Sequence, residues 1–124
     1  MNKTENSPIV NPEEFSAAEK DTETARGSFI LVFRKPFEHD GKTYESLTFD
    51  WDNLTGRDAL NIEAEMQQLG KALVVPAFSG EYLVRMAAKA CTEKIGADAF
   101  ERMPITEYNK VRSAARSFLL KSEL

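Results

Sequence analysis

FILVFRKPFEHDGKTYESLTFDW, residues Phe29 to Trp51, decides the fold. Phe29 to Arg34 is apolar and β-branched or aromatic at nearly every step. Tyr44 to Trp51 alternates, with Leu47, Phe49 and Trp51 on one face and Ser46, Thr48 and Asp50 on the other. This period-2 pattern predicts two strands, the second half-buried. Between them, Asp40-Gly41 tolerates the positive φ that a tight hairpin turn demands. Pro36 has no N–H for a ladder, so the first strand is expected to end there or to run at an edge. A lone hairpin is marginal in water, and the helical sequence after Trp51 supplies something to pack on.

Downstream, Thr55 with Asp58 three residues on reads as an N-cap approximating a capping box. The helix is expected from Gly56 to about Leu73, with Ala59, Ile62, Met66, Leu69 and Leu73 on one face, widened by Leu60 and Ala64. Val74-Val75-Pro76 cannot continue it. Ser79 caps a second helix expected over Gly80 to Ile95, closed by Gly96 at C′. One further turn is expected from Asp98 to Met103. A last helix starts near Pro104 to Thr106 and runs to about Lys121, lined by Tyr108, Val111, Ala115, Phe118 and Leu119. Lys110, Arg112, Arg116 and Lys121 lie mostly on its other face. The sum is an α+β class: a hairpin or small antiparallel sheet followed by three main helices. The expected core is Leu47, Phe49, Trp51, Ile62, Met66, Leu83, Met86, Val111 and Phe118.

Upstream, residues 1–27 hold six acids against Lys3, Lys20 and Arg26, and Ile9, Val10 and Phe15 do not recur at a useful spacing. They read as a flexible acidic arm with a short helix at most, Pro12 to Lys20. Residues 28–124 read as one domain, which 124 residues at 42% hydrophobic content can support. There are no internal repeats or low-complexity segments.

The chemistry is sparse. A net charge of −4 gives no electrostatic case for nucleic acid or an anionic membrane. No apolar run nears the roughly 20 residues of a membrane span, and the polar MNKTENSPIV start lacks a leader's apolar stretch. One cysteine, Cys91, excludes an internal disulfide and fits a reducing, cytoplasmic setting. It reads as a small buried thiol. The single histidine, His39, reads as a solvated turn residue, and one Cys with one His cannot build a zinc set. No nucleophile elbow, phosphate loop or dinucleotide fingerprint is present. Asp50 and Asp52 flank Trp51, but no further acid joins them at calcium-loop spacing. The four cations of the last helix are diluted by Glu107 and Glu123. The expectation is therefore a non-enzymatic protein without cofactor or metal that binds other proteins. Tyr108, Val111, Phe118 and Leu119, flanked by Arg112 and Arg116, are the candidate protein-binding residues, since Arg beside aromatic anchors is typical of binding hot spots. The alternative is that the same stripe is wholly core.

The order of these features carries a resemblance. Leu31 to Pro36, the Asp40-Gly41-Lys42 turn, Leu47 to Phe49, and Leu54-Thr55 with Asp58-Ala59-Leu60 follow one another as in a known pattern. The closing Phe118-Leu119-Leu120 fits it too. From Ser28 to Leu120 the chain resembles the small tail assembly chaperones of long-tailed bacteriophages and prophages. Where that family often places an acid at the start of the last helix, this chain has Thr106-Glu107. The resemblance implies a cytoplasmic, non-enzymatic role in virion morphogenesis. Such proteins bind the long helical tape measure protein, keep it soluble and help recruit tail tube subunits. The other reading is a small DNA-associated or regulatory protein of a mobile element using the basic last helix. Self-association is open in either.

Overall fold

A computed structural model describes residues 27–122. The expected acidic arm lies outside them except for Gly27, whose carbonyl accepts from the Trp51 amide at 2.9 Å. The α+β class is observed: two antiparallel strands, β1 (Ser28–His39) and β2 (Lys42–Asp50), precede four helices. These are α1 (Gly56–Gln68), α2 (Gly80–Ala90), the short α3 (Ala97–Glu101) and α4 (Ile105–Ser122). Single 3₁₀ turns follow β2 (Trp51–Asn53) and precede α2 (Pro76–Phe78).

The hairpin turns where expected, with φ of 50° at Asp40 and 78° at Gly41. Pro36 does not end β1. Ser46 pairs with Val32 and Tyr44 with Phe37, so Phe33 to Pro36 stand opposite Glu45 alone. The extra residues bulge out of the ladder, and a bulge accommodates a proline whose N–H is missing. The strand therefore resumes and ends at His39. The outer edge of β2 is clasped by the chain leaving α2. Thr92 N–H donates to the Thr48 carbonyl at 2.8 Å, and Thr48 N–H donates to Glu93 Oε1 at 2.9 Å.

Two helices stop earlier than their apolar spacing suggests. Helix α1 ends at Gln68 because Gly70 adopts φ of 71°. Lys71 N–H reaches the Met66 carbonyl and Gly70 N–H the Gln67 carbonyl, at 2.8 and 3.0 Å, the double bond of a Schellman close. Leu69, beyond the stop, and Leu60, within the helix, were both expected on the buried face and are more than half exposed. Helix α2 ends at Ala90, since Cys91 turns to extended geometry to bridge Phe49. Gly96 then precedes α3 instead of closing α2. The caps at Thr55, with its full capping box, and at Ser79 form as read.

Phe49 is the hub of the core. Its ring lies 6.1 Å from Phe29, 5.6 Å from Trp51 and 6.0 Å from Phe100, and Trp51 in turn stacks on Phe118 at 5.8 Å. Helix α2 is the central helix, touching α1, α3, α4 and β2. Of the expected core, Leu47, Phe49, Trp51, Ile62, Met66, Leu83, Met86 and Val111 are buried, whereas Phe118 is only partly so.

An ion-pair network ties α1 to α2. Arg85 bonds Glu81 at 2.7 Å and Glu65 at 3.2 Å, Lys89 bonds Glu65 at 3.0 Å, and Lys71 pairs with Glu81 at 3.2 Å. Partial burial by itself raises the two carboxyl pKa values, but hydrogen bonds and charge from these cations outweigh it and hold both below the ordinary 4.5. A depressed carboxyl stabilises the fold fully above its unfolded pKa and loses that contribution as pH falls through the folded value. Glu65→Gln is therefore expected to cost up to about 1 kcal/mol at neutral pH, the scale of partly exposed ion pairs. Urea titrations repeated below pH 4.5 should show the difference from wild type shrinking toward zero. A difference that stays constant into strong acid would mean the pairs contribute nothing.

Candidate protein-binding surface

The six residues singled out on the last helix fall into three environments. Val111 is fully buried and belongs to the core, so it is not available to a partner. Phe118 and Leu119 are half-buried at the far end of α4. With Leu54, Ile62, Tyr82 and Met86 they line a groove of about 180 Å³ between α1, α2 and α4. Its exposed lining is mainly apolar, and Thr55, Asp58 and Ser122 are its polar members.

Tyr108, Arg112 and Arg116 recur every four residues and share a different row of the helix. Tyr108 is placed against the start of α2, its hydroxyl 3.0 Å from where a Gly80 Cβ would stand. The Arg112 guanidinium lies 5.8 Å from the Tyr108 ring centroid, and its Nε is buried without a hydrogen-bond partner among the described residues. Arg116 Nε donates to the Ala77 carbonyl at 2.9 Å, and its guanidinium sits 5.8 Å from the Phe78 ring centroid. The two arginines do not stand on a wholly exposed face as expected. Each is half-buried, Arg112 beside the Tyr108 ring and Arg116 against the turn before α2. The basic residues of α4 thus form no continuous exposed stripe.

That turn is the feature the sequence reading missed. Val74 is 90% exposed, Phe78 71% and Val75 about half, and Ile105 at the start of α4 is 72% exposed. Val74-Val75-Pro76 carries a helix-stop signal, and nothing in its local pattern distinguishes apolar residues that turn outward from residues that pack.

Two buried polar groups were also not foreseen. His39, read as solvated, is 8% exposed. Its ring stacks on Phe37 at 6.0 Å, and Nε2 lies 3.4 Å from Asp40 Oδ2 and 3.5 Å from Asp98 Oδ2. Glu107 is 2% exposed. Its Oε1 accepts from the Thr106 hydroxyl at 3.1 Å, while Oε2 has no hydrogen-bond partner and finds Lys110 Nζ only at 4.0 Å. Glu at this third helical position usually reaches back to the amide of the residue before the helix. Here that residue is Pro104, which has no N–H.

Cys91 is buried, and that burial pushes its thiol up to about 11. Asp50 accepts a hydrogen bond from Asn53 at 2.8 Å. Among the described residues, no three His, Cys, Asp or Glu side chains are grouped to hold a metal ion, and no helix is long and apolar enough to cross a membrane. Comparison of the chain with models of known protein families, with curated proteins and with solved structures finds no match.

Proposed function

We propose that the domain is a non-enzymatic tail assembly chaperone of a long-tailed phage or prophage, acting in the host cytoplasm. It binds the tape measure protein and holds it in soluble form while tail tube subunits are recruited. The resemblance over Ser28 to Leu120 supports this reading, and the groove between α1, α2 and α4 carries it. An amphipathic helix lays its apolar face into a hydrophobic groove of this kind, with anchors at helical spacing. Half-buried Phe118 and Leu119 form the accessible wall of the groove, over a floor of buried Ile62, Tyr82 and Met86. The exposed Val74, Val75 and Phe78, bordered by Arg116, add a second apolar surface alongside α4.

Co-expression with the tape measure protein of the same element tests the proposal. The wild-type chain is expected to keep that protein soluble and to co-purify with it. Leu119→Glu puts a charge on the groove and should weaken capture at least about tenfold, as for a hot-spot residue. Arg112→Glu probes the Tyr108 row separately. If the tape measure protein stays insoluble with wild type, the chaperone reading fails. If only Arg112→Glu releases it, with both variants folded by circular dichroism, the partner sits on the Tyr108 row and not in the groove. Binding of duplex DNA that collapses with added salt would favour the mobile-element regulator instead.

A further inference from the structure

Exposed apolar residues gather where the chain enters α2, with Val74 at 90% and Phe78 at 71% exposure. The backbone beneath them is fixed. Ala77 is buried, and its carbonyl accepts from Arg116 Nε at 2.9 Å. Phe78 N–H donates to the Val75 carbonyl at 3.0 Å and Ser79 N–H to the Pro76 carbonyl at 3.1 Å. The Ser79 side chain in turn caps α2. Phe78 is thus held outward on a rigid turn. A side chain already held in place loses little freedom when a partner covers it.

On α4, Ile105, Tyr108, Arg112 and Arg116 recur at helical spacing and form one row. Tyr108 faces the start of α2 and Arg116 meets Phe78, so the row runs beside the turn. Ile105, 72% exposed, closes the far end. At the rise of an α-helix it stands about 16 Å from Arg116, roughly three turns. The strip is therefore apolar at both ends and cationic in the middle. Among the described residues neither arginine forms an ion pair. The nearby acids are committed elsewhere. Glu81, in the first turn of α2, pairs with Lys71 and Arg85, and Glu107 is buried on the far side of α4.

We propose that this strip binds an acidic amphipathic helix of a partner protein. Its carboxylates meet Arg112 and Arg116, and its apolar side chains cover Phe78 and Val74 at one end and Ile105 at the other. The two arginines stand one helical turn apart, which matches carboxylates one turn apart on a helix laid alongside. Charge complementarity selects the occupant. A guanidinium recognises a carboxylate with two parallel hydrogen bonds, and a basic helix would be repelled. The same strip of a second copy carries the same cations, so self-pairing through it is disfavoured. The inference holds whichever protein supplies the helix.

Titration of the full chain with two synthetic helical peptides of about 16 residues, followed by NMR, tests this. One peptide carries leucines at both ends of a stripe and glutamates between them. The other has lysines in place of the glutamates. The acidic peptide is expected to bind at least about tenfold more tightly, the scale of a hot-spot contact. It should shift the amides of Ala77, Phe78 and Arg112, and its advantage should shrink as salt is raised. Phe78→Ala removes an exposed side chain and should weaken the acidic peptide about tenfold. Arg112→Glu should reverse the preference between the two peptides. Equal affinities for the two peptides overturn the proposal. So does the absence of binding by either at millimolar concentration, or a set of shifts confined to the groove around Leu119. Because the peptides replace the tape measure protein, the result is independent of the chaperone reading.

Discussion

Phe49→Ala is expected to destabilise the domain by about 3–5 kcal/mol. Phe49 is fully buried and faces Phe29, Trp51 and Phe100 at ring separations of 5.6 to 6.1 Å. Its ring neighbours come from β1, the 3₁₀ turn and α3, so no single element can shift to fill the space. Relaxation is what reduces the cost of a truncated core residue, and here it is blocked on several sides. A domain of this size has roughly 5–15 kcal/mol to lose in total. Each kcal/mol moves the melting temperature of a 60–100-residue domain by about 4–8 °C. Thermal unfolding followed by circular dichroism should therefore fall by more than about 12 °C. A drop of only a few degrees would mean that Phe49 is not the hub.

The opposite change is tested at Ala87. This residue is fully buried on α2, the helix that touches α1, α3, α4 and β2. Small side chains there set how closely the helices approach. Ala87→Leu adds three carbons where packing is at interior density, so neighbours must leave their rotamers or the helix must move. The expected cost is about 1–3 kcal/mol. Ala88→Leu, on the half-buried side of the same helix, is the comparison and should cost clearly less. Both are measured by urea denaturation, where the midpoint falls while the slope stays constant. Equal costs at the two positions would remove the argument that α2 is wedged on one face only.

Local signals were legible in the sequence. The Asp40-Gly41 turn, the alternation of Leu47, Phe49 and Trp51, and the caps at Thr55 and Ser79 each depend on residues a few positions apart. What was not legible depends on distant chain. Leu69 and Leu73 continued the helical spacing past Gly70, and spacing alone concealed the left-handed glycine that stops α1. Cys91 leaves its helix because Phe49, far away in sequence, offers a backbone partner. His39 is buried because Phe37 and Asp98 close over it, which no pattern around the turn encodes. On α4, the expected single stripe is divided because Tyr108 meets the start of α2 and Arg116 the Pro76–Phe78 turn, while Phe118 and Leu119 line the groove with α1 and α2. That division needs the crossing geometry of three helices.

The clasp between Thr48 and Glu93 joins residues 45 apart in the chain. It gives folding a temporal order. A hairpin closed by a two-residue turn forms in about 1–10 μs. The clasp must wait until α1 and α2 have brought their connecting chain back to the sheet, because the entropy of closing that loop is recovered only when non-local contacts form. The two sides of β2 are thus satisfied at different times, the inner side early by β1 and the outer side late. Until then the nascent domain presents unpaired backbone on both flanks of its hairpin, and its exposure to misassociation is greatest before the helices arrive.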